Sequence, residues 1–130
     1  MMRLLLDTHA LLWMLYDDPR LPTSARRHIT QAEEIAYSSI SLWEIAIKLS
    51  YRAFDFRLAD NWHQLLPKEL THIGAYRLDI TPECLHKLQT LPFHHRDPFD
   101  RMIISQALTE HWDILSKDGH LKKYGLKVFW

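Results

Sequence analysis

With 130 residues, 47% of them hydrophobic and three of them glycine, the chain is the size of one domain (residues 1–130) with a real core, and it is too apolar to be disordered. Sixteen basic and sixteen acidic side chains leave no net charge, which speaks against a broad face gripping long nucleic acid by counterion release but leaves room for a small nuclease pocket. The lone Cys84 excludes an internal disulfide and a thiolate metal set, no apolar run approaches the roughly 18 residues of a membrane span, and Met1-Met2-Arg3 running directly into Leu4 leaves no room for a signal peptide, so a cytoplasmic protein is expected.

Residues 3–6 read as a short buried strand ending at Asp7. Residues 8–16 follow as a helix that is apolar nearly all round (Ala10, Leu11, Leu12, Trp13, Met14, Leu15), which places it in the interior or at an interface. Pro19 and Pro22 mark a loop, and a polar helix is expected over 23–34 around Ala25, Ile29 and Ala32, then a strand over 35–38. Ser41-Leu42-Trp43-Glu44 fits a capping box, serine at the N-cap and glutamate three residues on, ahead of Ile45, Ala46, Ile47 and Leu49. A helix is expected over 59–70, with Pro67 as its end or a kink, and a strand over 76–80. Thr81-Pro82-Glu83 begins another helix with proline at its favoured first position, and Cys84 reads as a small buried hydrophobe within it. Asp97-Pro98-Phe99-Asp100 repeats that start before Met102, Ile103, Ile104, Ala107 and Leu108. Residues 113–116 form a strand, Asp118-Gly119 a turn, and 127–130 a last strand. Strands alternating with helices predict an α/β fold on a parallel sheet.

Such a sheet gathers distant chain positions at the carboxyl edge of its strands, where open α/β folds bind ligands. Asp7 and Asp118 each lie just beyond a strand, and Glu44 and Asp100 each lie in the opening of a helix. Each also has an ordinary structural use. Asp7 fits a helix N-cap, Glu44 the third position of a capping box, and Asp118 the residue before a turn glycine. Asp97 is a better cap still, with the amide of Asp100 in reach, whereas Asp100 caps nothing and gains only from the helix dipole. If Asp7, Glu44, Asp100 and Asp118 converge, they repel one another unless a divalent cation sits among them. A cation held by carboxylates alone, Mg²⁺ or Mn²⁺, usually means phosphate chemistry, with some oxygens holding the ion and others orienting water for in-line attack on phosphorus.

In order along the chain, LLLDTHALLWML, SSISLWEIAIK, HHRDPFDRMIISQAL and ILSKDGHLKKYGLKVFW resemble the four motif blocks of PIN-domain ribonucleases, and among these the VapC-type toxins of type II toxin–antitoxin modules. The resemblance covers nearly the whole chain. It implies a three-layer α/β/α sandwich with a central, mostly parallel sheet. It implies a Mg²⁺- or Mn²⁺-dependent endoribonuclease that hydrolyses RNA with metal-activated water, leaving 5′-phosphate and 3′-hydroxyl ends. A cognate antitoxin that blocks the active site and a homodimer are the implied protein partners. By motif, the metal site falls to Asp7, Glu44, Asp100 and Asp118, with Asp97 one turn away as assistant or cap. Two positions depart from the pattern: Arg52 stands where relatives commonly have glycine, and Ser105 where alanine is common.

Thr8 and Ser116 flank the expected site, and their hydroxyls serve either metal-bound water or packing. Arg101 pairs a phosphate, orients Asp97, or is a plain surface ion pair; Lys48 is the i,i+4 partner of Glu44. His9, His94 and His95 either touch phosphate or serve as acid catalysts, or are plain surface or loop residues, the reading favoured because no His-x₃-His ligand spacing occurs. Trp13, Trp43 and Trp62 read as core or interface anchors, not base-stacking platforms. Two other functions compete. A haloacid-type phosphatase also opens strand–Asp, but it needs a second aspartate two residues on, where His9 stands. A non-catalytic PIN-like module that binds RNA or protein would have no need to keep acids at all four positions.

Overall fold

The computed structural model describes residues 2–52 and 55–130. In chain order the elements are β1 (Arg3–Leu6), α1 (Thr8–Leu15), α2 (Thr23–Gln31), β2 (Glu34–Ser38), α3 (Ser39–Ser50), α4 (Trp62–His72), β3 (Tyr76–Leu78), α5 (Pro82–Thr90), α6 (Pro98–Glu110), β4 (Asp113–Leu115), a 3₁₀ turn (Gly119–Tyr124) and β5 (Val128–Phe129). Leucine at positions 4, 5 and 6 makes β1 apolar on both faces, as a central parallel strand requires, and all three are fully buried. β1 pairs with β2 on one side and β4 on the other. The sheet order is β3-β2-β1-β4-β5, and every pairing is parallel.

Side chains alternate across this sheet into two cores. Leu5, Ala36 and Ile114 meet α5 and α6 through Cys84, Met102, Ile104 and Ala107. Leu4, Leu6, Tyr37 and Leu115 meet α1, α2 and α4 through Leu11, Leu12, Ala25, Leu66 and Leu70. Helices therefore cover both faces, and the architecture is a three-layer α/β/α sandwich. The chain leaves β1 toward β2 and β3, then returns past β1 to β4. That reversal opens a crevice at the carboxyl ends of β1 and β4, where Asp7 still donates its amide to the Leu115 carbonyl at 3.1 Å.

Several boundaries differ from the sequence expectation. α2 stops at Gln31 instead of running to 34, because Ala32 turns extended and Glu34 enters β2, its carboxylate held by Arg3 at 2.9 Å. α3 starts at Ser39, and its N-cap is Ser38, whose hydroxyl accepts the Ile40 amide at 3.0 Å. The capping box expected at Ser41 and Glu44 is thus absent: both lie inside the helix, where they bond Thr8 instead. α4 begins and ends two or three residues late and carries Pro67 in its interior. Arg52 adopts a left-handed backbone, φ 51, the conformation for which glycine is the natural residue. Ser105 donates its hydroxyl to the Cys84 carbonyl and so ties α6 to α5, a bond alanine could not make. Among the described residues no helix is long and apolar enough to cross a membrane.

Candidate active site

Three acids line one cleft of about 280 Å³ at the switch point: Asp7 from the end of β1, Asp100 from the first turn of α6, and Asp118 beyond β4, with Ser116 and Lys117 between them. Asp7 caps α1, its Oδ1 accepting the Ala10 amide at 2.8 Å. Burial pushes its carboxyl above the ordinary range, opposed by hydrogen bonds from Ser116 and Ala10. Asp100 is pushed up to about 7, first by burial and then by the neighbouring charges of Asp97, Asp7 and Glu44. Asp118 behaves differently. Burial opposes its ionisation, but hydrogen bonds from His95 and His120 prevail and hold it below the usual value.

Glu44 sits one layer behind and does not line the cleft, although its charge is felt at both Asp7 and Asp100. It is buried, with Lys48 2.7 Å from one carboxylate oxygen and Thr8 2.6 Å from the other. Thr8 Oγ1 also lies 2.9 Å from Ser41 Oγ. A hydroxyl has one proton, so Thr8 gives it to Glu44 and accepts the proton of Ser41. This relay is the use to which the Ser41 and Glu44 pair is put. Ser116 acts similarly near the front, accepting the Asp118 amide at 3.1 Å.

Asp97 is an exposed cap whose Oδ1 takes the amides of Phe99 at 2.8 Å and Asp100 at 3.4 Å. Arg101 does not enter the site. It is buried, donating to the carbonyls of Leu91 and Pro92, with its guanidinium 4.2 Å from the centre of the Phe93 ring. Among the described residues no ion pair of Arg101 is found; the side chain braces the loop over 91–95. That loop carries His95, whose place at the site was not foreseen. Read as a surface or loop histidine, it lies on the loop but is largely buried, with its Nε2 2.6 Å from Asp118 Oδ2 and its amide 2.8 Å from Tyr124 Oη. Ligand atoms of His95, Asp100 and Asp118 all fall within 4.8 Å of one another. The HHRDP spacing gave no hint of this, because the partner lies 23 residues away across the cleft.

Crowded carboxylates of which one retains a proton near neutrality lack a compensating positive charge. A hard divalent cation fits that deficit, since the donors are predominantly carboxylate oxygens.

A family model described as PIN domain matches residues 4–127. The chain is similar to "Ribonuclease VapC22" of Mycobacterium tuberculosis, 29% identical over 126 residues that cover 95% of this chain and 93% of that protein. Among solved structures it resembles a chain of VapBC2 from Rickettsia felis bound to a DNA fragment from their promoter (TM-score 0.65, 18% identity, 98% of this chain and 97% of that one). It also resembles a chain of a toxin–antitoxin complex from Klebsiella pneumoniae (TM-score 0.59, 16% identity, 92% and 88%).

Proposed function

We propose, from the premise that this chain belongs to the PIN-domain family, that it is a divalent-metal-dependent endoribonuclease acting as the toxin of a toxin–antitoxin pair. The observation that carries this reading is the meeting of Asp7, Asp100 and Asp118 on one cleft with the charge of Glu44 behind them. Asp7, Asp100 and Asp118 would hold Mg²⁺ or Mn²⁺, with Glu44 adding charge from the second layer. When bound, such an ion supplies a Lewis acid for the phosphodiester and lowers the pKa of water. The chain's own residues do the rest. The Ala10 amide and Ser116 fix the Asp7 carboxylate, and His95 with His120 fixes that of Asp118, so the oxygens are aimed before any ligand arrives. His95 is in this sense a positioning residue. The proton of Asp100 competes with the cation for the same oxygens, so metal affinity rises with pH through about 7.

The purified protein should cut structured RNA in Mg²⁺ or Mn²⁺, stop in EDTA, and lose activity on Asp7→Asn. Cutting that survives both chelation and the substitution would refute the mechanism. The solved neighbours point further to a cognate antitoxin. An open apolar groove bordered by Met14, Leu15, Leu65 and Ile73 supports docking of an apolar helix from that partner. Leu65→Asp should then abolish co-purification with the small protein expected as its antitoxin, co-expressed from the adjacent reading frame, and undiminished co-purification would remove the groove from consideration.

A further inference from the structure

Orienting Asp118 requires His95 to lie near Asp118 only, yet the structure places it near a second acid as well. Among the described residues, His95, Asp100 and Asp118 form the group able to hold a metal ion, one ligand atom of each within 4.8 Å of the others. The ring is held in that place from several sides. Its side chain is only 12% exposed, and its backbone amide donates to the Tyr124 hydroxyl at 2.8 Å. Its ring meets that of Tyr124 edge-on, centroids 6.0 Å apart, and Arg101 fixes the loop through the carbonyls of Leu91 and Pro92. A donor locked in this way is preorganised for a ligand.

The local geometry suits ligation. His95 Nε2 stands 2.6 Å from Asp118 Oδ2, and neighbouring ligands of an octahedral ion at about 2.1 Å stand about 3 Å apart. A small parting of the two atoms therefore brings both within reach of one ion. The buried Nδ1 has no hydrogen-bond partner among the described residues, so none holds the ring in the tautomer that donates from Nε2. With the proton on Nδ1, Nε2 offers its lone pair toward the acids. Asp118 does not need His95 for its orientation alone, since its Oδ1 also accepts the His120 amide at 2.9 Å. We propose that His95 is a nitrogen ligand of the metal centre beside Asp100 and Asp118, and that it biases the site toward a first-row transition dication over Mg²⁺. Mg²⁺ is served by oxygen donors, whereas imidazole favours the transition metals in an order that rises from Mn²⁺ to Co²⁺. This rests on the metal-dependent nuclease reading above and narrows the ion it names.

Calorimetry on the whole chain at neutral pH should give affinities that rise from Mg²⁺ through Mn²⁺ to Co²⁺. His95→Gln keeps a donor for Asp118 and offers an ion only a hard oxygen. It should weaken Mn²⁺ and Co²⁺ about tenfold and leave Mg²⁺ unchanged. Pulsed electron paramagnetic resonance of the Mn²⁺ protein reads the ligand directly and needs no variant: labelling histidine with ¹⁵N should replace ¹⁴N coupling by ¹⁵N coupling. That coupling should persist in His9→Gln, whose ring lines the cleft, and in His120→Gln, and vanish in His95→Gln. Bound Mn²⁺ without histidine coupling overturns the proposal, as does coupling that survives His95→Gln. An equal loss of all three ions in His95→Gln also overturns it, because that marks a residue that only orients Asp118. RNA cut in Mn²⁺ without the coupling sinks the nitrogen ligand and spares the nuclease. Histidine-coupled Mn²⁺ with no cutting of RNA in any of the three ions does the reverse.

Discussion

Replacing Asp100 with asparagine should stabilise the metal-free protein at high pH and leave it unchanged at low pH. In the folded chain the Asp100 carboxyl is pushed up to about 7 from an ordinary 3.8. Between those values the unfolded chain has released the proton while the folded chain keeps it. The folded state then binds more protons, so stability falls as pH rises, and it levels off above about 7. Roughly three pH units at ~1.36 kcal/mol each give ~4 kcal/mol as the upper limit of the penalty, and local relaxation would halve it to about 2 kcal/mol. The asparagine side chain has nearly the same shape and no charge to lose. Urea unfolding in EDTA should therefore give equal stabilities near pH 4, with the variant ahead by about 2–4 kcal/mol near pH 8. Saturating Mn²⁺ should narrow or close that lead at high pH by stabilising the parent through linkage, by ~2.7 kcal/mol at a hundredfold excess over Kd. A difference between the two proteins that is flat across pH would refute a carboxyl raised by burial and by its acidic neighbours.

Lys48→Met leaves the buried Glu44 carboxylate with Thr8 alone and should destabilise by about 2–4 kcal/mol in urea, most of it recovered on adding Glu44→Gln. Arg52→Gly removes a non-glycine residue from a left-handed backbone and should stabilise by about 1 kcal/mol, seen as a Tm higher by a few degrees. Lys117 and Lys122 border a hollow that shares Ser116, Lys117 and Trp130 with the acidic cleft. If phosphates run that way, Lys122→Ala should lower the log–log salt slope of RNA binding by about one, and an unchanged slope would exclude this route.

The fold was legible because β1 is apolar on both faces and each of Asp7, Thr81 and Asp97 marks a helix start that the structure keeps. The errors have local causes. The Ser-x-x-Glu spacing at 41–44 mimics a cap, yet the helix had already begun at Ser39 because Ser38, at the end of β2, takes the cap itself. Polar residues before β2 disguised the end of α2, where a single extended residue at Ala32 frees Glu34 for Arg3. Arg101 looked like a site cation from its place in the motif, but the carbonyls it satisfies belong to a loop whose path no spacing rule gives. The burial of His95 was not legible because it is set by contact with Asp118, remote in sequence, and the half-exposure of Trp43 beside Phe99 excludes only the core part of its reading as a core or interface anchor.

Capping and ligation looked like rival uses of the acids, and the geometry makes them compatible. Asp7 takes the Ala10 amide on Oδ1 and a further hydrogen bond from Ser116, and both orient the carboxylate that would face an ion. Asp97 is the position where the two uses can be separated. Its Oδ1 caps α6, and its charge helps raise Asp100. Asp97→Ser preserves a cap of equal rank and removes the charge. If Asp97 acts only as cap and neighbour, helix stability should stay within about 0.5 kcal/mol, the titration of Asp100 should move toward acid, and Mn²⁺ affinity measured by calorimetry at neutral pH should hold or improve, because the competing proton is bound less tightly. A tenfold weaker Mn²⁺ affinity with the stability intact would instead make Asp97 a ligand and transfer to it part of the metal-holding role proposed for Asp100.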